Sequence, residues 1–204
     1  RLIQITDNQI KSFQEKDGLL NSSITALKRI KNKIWIGTEN GIATYDLTNQ
    51  EFVFYEEKEG LAGHHVSGIL SHDNDKVWVS FQDGQISLFD SGRLVNPIVS
   101  EEISEINCIA KDSSGHLWVG TNGNGLFHGD YNHDSHELKL VQMSKSEGLM
   151  SNYIYSILIL DDEVWAGHEN GVDMITALDS IFVIKSFGPE HGFSGLQNNK
   201  NASL

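Results

Sequence analysis

The sequence predicts an all-β fold: a β-propeller of four-stranded antiparallel blades, in an incomplete ring of about four full blades with partial blades at both ends. Three observations predict it. All four Trp residues fall at one position of a repeat, in Ile34-Trp35-Ile36-Gly37-Thr38, Val77-Trp78-Val79-Ser80-Phe81, Leu117-Trp118-Val119-Gly120-Thr121 and Val164-Trp165-Ala166-Gly167-His168. Their spacings of 43, 40 and 47 residues match the roughly 40–45 residues that a four-stranded blade occupies. The 19 Gly against 2 Pro suit many short strands joined by tight turns, and helical periodicity is weak throughout.

Each unit reads alike. An apolar strand (Ile24 to Leu27, or Ile154 to Leu158) leads through a polar turn into the Trp strand. A hairpin with Asn-Gly or Asp-Gly follows, at Asn40-Gly41, Asp83-Gly84, Asn170-Gly171 and the longer Asn122-Gly123-Asn124-Gly125. Such pairs supply the positive φ that two-residue hairpins require. A third and a fourth strand end the unit, as in Ile42 to Tyr45 and Phe52 to Tyr55. The Trp strand is apolar on both faces, so both need cover, as when sheets stack face to face. The Gly two residues after the Trp shares its face and lets a neighbour approach closely. Ser80 replaces it in the second unit.

The blades span 20–57, 62–98, 104–144 and 151–187. Residues 1–16 read as the end of a preceding blade and 188–204 as the start of a following one. An open arc would leave sheet faces and edges exposed and prone to pair with a second copy, so a dimer is expected.

Composition excludes several classes. Hydrophobic residues make up 39% and charged residues 21%, which is globular rather than disordered. The net charge of -13, with no Lys/Arg cluster, excludes a nucleic-acid partner and disfavours an anionic membrane surface. The single cysteine, Cys108, allows no internal disulfide and reads as a small core residue. No apolar stretch approaches the ~20 residues that cross a bilayer, and the first residues are not a signal peptide. Either the protein is cytoplasmic, or a leader and an anchor lie outside these residues.

The pattern Gly-Leu, apolar strand, turn, Leu-Trp-Ile-Gly-Thr, x-Asn-Gly-Ile, Tyr-Asp resembles the two-component regulator propeller repeat. Here it is carried by Gly18-Leu19, Trp35-Ile36-Gly37-Thr38, Asn40-Gly41-Ile42 and Tyr45-Asp46. The linker recurs as Glu59-Gly60-Leu61, Glu147-Gly148-Leu149 and His191-Gly192-Phe193. It is missing before Ile106. The resemblance implies a periplasmic sensor region in a parent of about seven blades, anchored in the inner membrane. It also implies coupling to a downstream transmembrane signalling module, a histidine kinase or diguanylate cyclase, and a small extracellular ligand such as a glycan fragment.

By propeller geometry the candidate site is the end of the blades where inter-blade loops meet the second-to-third-strand hairpins. Ligand-binding candidates there are Asn21, His64, His65, Asn122, Asn152, Tyr153 and His168, with Ser22, Glu39, Gln82, Ser151 and Glu169 beside them. Amide, imidazole and phenol groups suit a sugar through hydrogen bonds and stacking, although each taken singly reads as a solvated loop residue. His128, His133, His136, Asp130 and Asp134 cluster in sequence but match no zinc spacing and read as a wet loop. Asp112-Ser113-Ser114-Gly115-His116 reads as a structural turn.

No catalytic residue, metal or cofactor is expected. No nucleophile elbow, zinc-protease motif or phosphate loop occurs, and carboxylate pairs such as Glu56-Glu57 are adjacent, hence on opposite strand faces. The expected function is a non-catalytic sensory segment that reads a small ligand. The rivals are a propeller lyase or glycosidase, which needs converging carboxylates, and a protein-interaction scaffold, which needs a large apolar patch.

Overall fold

Tight hairpins order this chain: within each blade every strand turns back on its predecessor, so the blades are built from sequence neighbours. The computed structural model describes residues 2–6, 9–13, 23–72, 76–99, 101–178 and 181–192. Among these, the strands form one two-stranded, one five-stranded and three four-stranded sheets. Among the described residues, helix is confined to single 3-10 turns at Glu57–Glu59 and Pro189–His191. Two compact units result, Arg1–Gln82 with Ile86–Asn96, and Asp83–Gln85 with Pro97–Leu204.

The first unit holds strands β1 (Leu2–Thr6) and β2 (Gln9–Phe13), which pair with each other. Its first blade is β3 (Ile24–Ile30), β4 (Lys33–Thr38), β5 (Gly41–Asp46) and β6 (Phe52–Tyr55). The second is β7 (Val66–His72), β8 (Lys76–Phe81), β9 (Ile86–Asp90) and β10 (Arg93–Val95). In the second unit, β11 (Ile98–Val99) precedes a third blade of β12 (Ile106–Lys111), β13 (Leu117–Thr121), β14 (Leu126–Asn132) and β15 (Glu137–Met143). The fourth blade is β16 (Ile154–Leu160), β17 (Glu163–His168), β18 (Gly171–Leu178) and β19 (Ile181–Phe187).

The four indoles are equivalent. Each Trp lies on the second strand opposite a first-strand residue: Lys28, Leu70, Ala110 or Leu158. In the first unit Trp35 packs with Ile42, Leu61, Val66, Val77 and Phe89, so its face is covered by the second blade. Trp35 and Phe89 meet edge to face at 5.0 Å. The other face of the first blade packs Ile36, Ala43 and Tyr45 on Phe13 of β2. In the second unit Trp118, Leu126 and Met143 meet Ile154, Val164 and Ile175 of the fourth blade in the same way. Trp165 presents the equivalent face beside Leu158, Leu160 and Val183, which are exposed.

What lets the sheets approach within each unit is a Gly two residues after the Trp, Gly37 in the first and Gly120 in the third blade. A Cβ on Gly37 would stand 2.5 Å from Val66 Cγ1, and one on Gly120 would stand 2.8 Å from Ile154 Cγ2. Val66 and Ile154 begin the first strand of the next blade. Every first strand also carries a β-bulge, between Ile24 and Ala26, Val66 and Gly68, Ile106 and Cys108, and Ile154 and Ser156. Small residues therefore face each other beside it: Ala26 and Gly37, Gly68 and Ser80, Cys108 and Gly120, Ser156 and Gly167. A bulge adds one residue and twists the strand. In the third blade the extra residue, Asn107, donates its Nδ2–H to Ile154 O at 3.0 Å and ties the two blades together.

The Glu-Gly-Leu linkers have a physical basis. Glu59 and Glu147 accept from the backbone N–H of Glu56 and Ser144, closing a tight turn. Gly60 and Gly148 take φ of 94° and 115°, which side-chain-bearing residues rarely adopt. Leu61 and Leu149 then enter the inter-blade cores, and the next N–H is anchored on the third strand of the following blade. Ala62 donates to Ser87 Oγ and Met150 to Asp173 Oδ2. Where this linker is missing, before the third blade, β11 takes up the chain. It adds to the outer edge of that blade, parallel to β15, through Ile98 opposite Glu137 and Val99 opposite Leu138.

Gly37→Ala is expected to lower stability by about 1–3 kcal/mol, because the new methyl overpacks against a β-branched side chain with little freedom to shift. Urea unfolding measures it, and an unchanged midpoint would contradict the close approach.

Candidate functional site

Backbone hydrogen bonds fix the loop end of each unit. The residue after a Trp strand donates to the residue before the first strand of the same blade: Glu39 to Ser23, Gln82 to His65, and Asn122 to Glu105. In the first unit this anchors His65 by its carbonyl and leaves His64 exposed beside it at the start of β7. Asn21 and Ser22 lie outside the described residues.

In the second unit the candidates come together. Asn122 Nδ2 donates to Glu105 Oε2 at 2.6 Å, and Asn122 forms an isolated bridge with Tyr153. Asn152 O accepts from the N–H groups of Gly123 and Gly125, at 3.0 and 2.8 Å, and its Oδ1 accepts from Lys145 N–H. Tyr153 N–H donates to Ser151 Oγ, whose hydroxyl lies 2.7 Å from a Glu169 carboxylate oxygen. With its backbone held on both sides, the Tyr153 ring remains 47% exposed, over Gly123. Tyr155, the extra residue of the bulge, stands nearby. Burial pushes its phenol up from the usual value, and the charge of Glu169 adds to the shift, so it stays a neutral donor. An exposed aromatic face ringed by an amide, two carboxylates and a phenol can stack on a sugar ring and bond its hydroxyls.

His168 departs from the expectation that it faces a ligand. It is wholly buried and stands where Thr38 and Thr121 stand in their blades. Those threonines accept from the N–H of Asn40 and Asn124 within the hairpin; His168 Nδ1 accepts from Asn170 N–H at 3.1 Å. Its Nε2 lies 3.4 Å from Asp173 Oδ2. Asp173 is also wholly buried and takes the Met150 N–H and the Ser186 hydroxyl. Burial alone would raise the Asp173 carboxyl, but these bonds outweigh it and hold it below the usual range. His168 and Asp173 are therefore a structural anchor for the linker. The Thr slot of the repeat was the signal for His168. Glu105 and Tyr155 carried none, since the bulge and the Asn122 bond arise only on folding.

The sequence cluster of His and Asp splits. His128 and Asp130 lie on β14, where His128 stacks on Trp118 at 4.9 Å. His136 Nδ1 instead lies 2.8 Å from the Tyr131 hydroxyl, and His133 meets the Tyr131 ring edge-on. Among the described residues no group of three or more His, Cys, Asp or Glu is arranged to hold a metal ion. Nor does any helix there have the length and apolarity to cross a membrane. The Asp112 turn is built as its sequence suggests. One carboxylate oxygen accepts from the N–H of Ser114 and His116, and the other from Trp118 Nε1 at 2.9 Å.

Solved structures share this fold. The extracellular domain of BT3049 from B. thetaiotaomicron, described as a hybrid two component system, matches with a TM-score of 0.69 at 16% identity, over 87% of this chain and 26% of that one. The extracellular domain of BT4673 from the same organism, described as a one component system, matches with a TM-score of 0.68 at 17% identity, over 89% and 24%. PorZ, a surface component of the type-IX secretion system of Porphyromonas gingivalis, gives 0.59 at 20% identity, over 78% and 26%. The chain is thus a run of β-propeller blades, and it spans about a quarter of the length of these proteins. The profile of the family described as two component regulator propeller matches residues 100–123, which include β12 and β13. That repeat is therefore present in this chain over residues 100–123, within a fold it shares with these extracellular domains. No curated protein sequence matches it.

Asp173→Ala is expected to cost about 2–4 kcal/mol, since it leaves a buried N–H, hydroxyl and imidazole short of a partner. The folded carboxyl titrates below its unfolded value, so its stabilisation is complete above pH about 4 and is lost as pH falls through the folded pKa. Urea midpoints between pH 7 and 3 should fall less steeply in Asp173→Asn than in the parent chain.

Proposed function

We propose that this chain is part of the ligand-reading region of a signalling protein, and that its loop end reads an oligosaccharide fragment without performing chemistry on it. The carrying observation is the exposed Tyr153 ring, held rigidly between Asn122 and the Ser151–Glu169 pair. A pre-positioned aromatic face with few polar groups around it is how proteins grip a sugar at low entropic cost. The likeness to extracellular domains of two-component proteins supports a location outside the cytoplasm, in the periplasm. It also supports a downstream transmembrane signalling module as partner. Signalling would follow from a ligand that binds one arrangement of the parent propeller, or of its dimer, better than another.

A panel of neutral and acidic oligosaccharides titrated into the chain and followed by NMR tests this reading. Binding should move the Tyr153, Asn122 and Tyr155 signals, and Tyr153→Ala should weaken it about three- to tenfold. No released product should accumulate. Binding that ignores Tyr153→Ala removes the site, failure of every oligosaccharide removes the ligand class, and turnover removes the non-catalytic reading.

A further inference from the structure

A second feature lies at the opposite end of the same strands. β12 and β16 run away from Asn122 and Tyr153 and end in the turns at 112–116 and 161–162. There a cavity of about 470 Å³ opens between the third and fourth blades, within the size range of small-molecule sites.

Three aromatic rings line it. His128 stacks on Trp118 with 29° between planes, and Phe182 meets both edge-on, at 5.8 Å from Trp118 and 4.6 Å from His128. Phe182 belongs to the fourth blade and the other two to the third, so the aromatic wall exists only when the blades are packed. Three carboxylates also line it, Asp112, Asp130 and Asp162, against the single ammonium of Lys139. His116 bridges two of them, with Nδ1 3.0 Å from Asp112 and Nε2 3.5 Å from Asp130. Burial, with His116 adding to it, holds the His128 imidazole below its usual value. That ring is therefore neutral at physiological pH and does not repel a cation.

The first unit carries its own version of this groove. Between the first and second blades a cavity of about 380 Å³ is lined by Trp35, Phe89 and Val77, the last of these matching Val164 in the repeat. There the charged groups are Lys31, Lys33 and Asp46, two ammonium groups to one carboxylate. A gap at this place thus comes with the blade packing itself. What sets the cavity of the second unit apart is the sign of its charge and its third aromatic ring.

We propose that the cavity between the third and fourth blades binds a small organic ammonium ion. Aromatic rings attract such a cation through their quadrupole, here chiefly the partly exposed Phe182 backed by the stacked His128 and Trp118, and carboxylates at the rim supply the counter-charge. The chain's net charge of -13 draws the same class of ligand from solution. Neither the polar groups nor the aromatic wall are shared with the loop end, so this site stands or falls independently of the oligosaccharide reading.

The test is an NMR titration of the whole chain with choline chloride, reading the indole N–H signal of Trp118 at constant ionic strength. The control ligand is 3,3-dimethylbutan-1-ol, a neutral isostere of choline. Choline should shift the Trp118 signal saturably, with a Kd of about 1–10 mM. The isostere should not, and Trp35, in the basic groove, should stay still. Asp130 and Asp162 are exposed, so Asp130→Asn with Asp162→Asn should leave the fold intact, checked on the signal of Trp165, which lies in the same unit but outside the cavity. The pair should weaken choline about three- to tenfold. The proposal is overturned if choline and the isostere shift Trp118 equally, if neither shifts it below about 50 mM, or if the double variant binds as tightly as the parent.

Discussion

The structure depends on one contact, the approach of a blade's first strand to the glycine of its neighbour's Trp strand. Val66 over Gly37 and Ile154 over Gly120 bring two sheets closer than any side chain there would allow. Once they are that close, the indole two residues earlier is forced to lie between the sheets, with Leu61 or Leu149 beside it. Burial of a side chain of this size contributes about 1.5–3 kcal/mol, so a few such contacts per interface hold blades that no hydrogen-bond ladder joins. The bulge in each first strand serves the same contact, setting a small residue beside the glycine.

Polar groups finish what the apolar contacts begin. The linker between blades would leave buried N–H groups unpaired, and each interface answers with a different side chain: Ser87 in one, Asp173 in the other. The ionised Asp173 needs a larger shell, which explains why a histidine replaces the hairpin threonine directly after Gly167, at the end of β17. One change in the repeat has drawn in another, because an isolated charge cannot be buried.

A frame held from within leaves both ends of the blades open to chemistry. At the loop end the backbone is locked while the Tyr153 ring remains accessible. At the turn end the sheets splay enough to leave a groove in each unit, and the residues around it differ in charge between units. Surfaces formed in advance lose less affinity to ordering than ones that must first be ordered.

The amino-acid sequence by itself determined the all-β blades, because the Trp spacing, the alternating strands and the Asn-Gly turns are local signals that no distant residue can overrule. Tyr153 and Asn122 were legible as loop residues on the same grounds, whereas the burial of His168 was hidden until its partner Asp173, on the next strand, was known. Only the tertiary structure decided the bulges, the strand Ile98–Val99 at the edge of the third blade, and the meeting of Phe182 with Trp118 across two blades. These arise where segments distant in sequence touch, and the energy that selects them is packing between sheets, which a strand's own pattern does not encode.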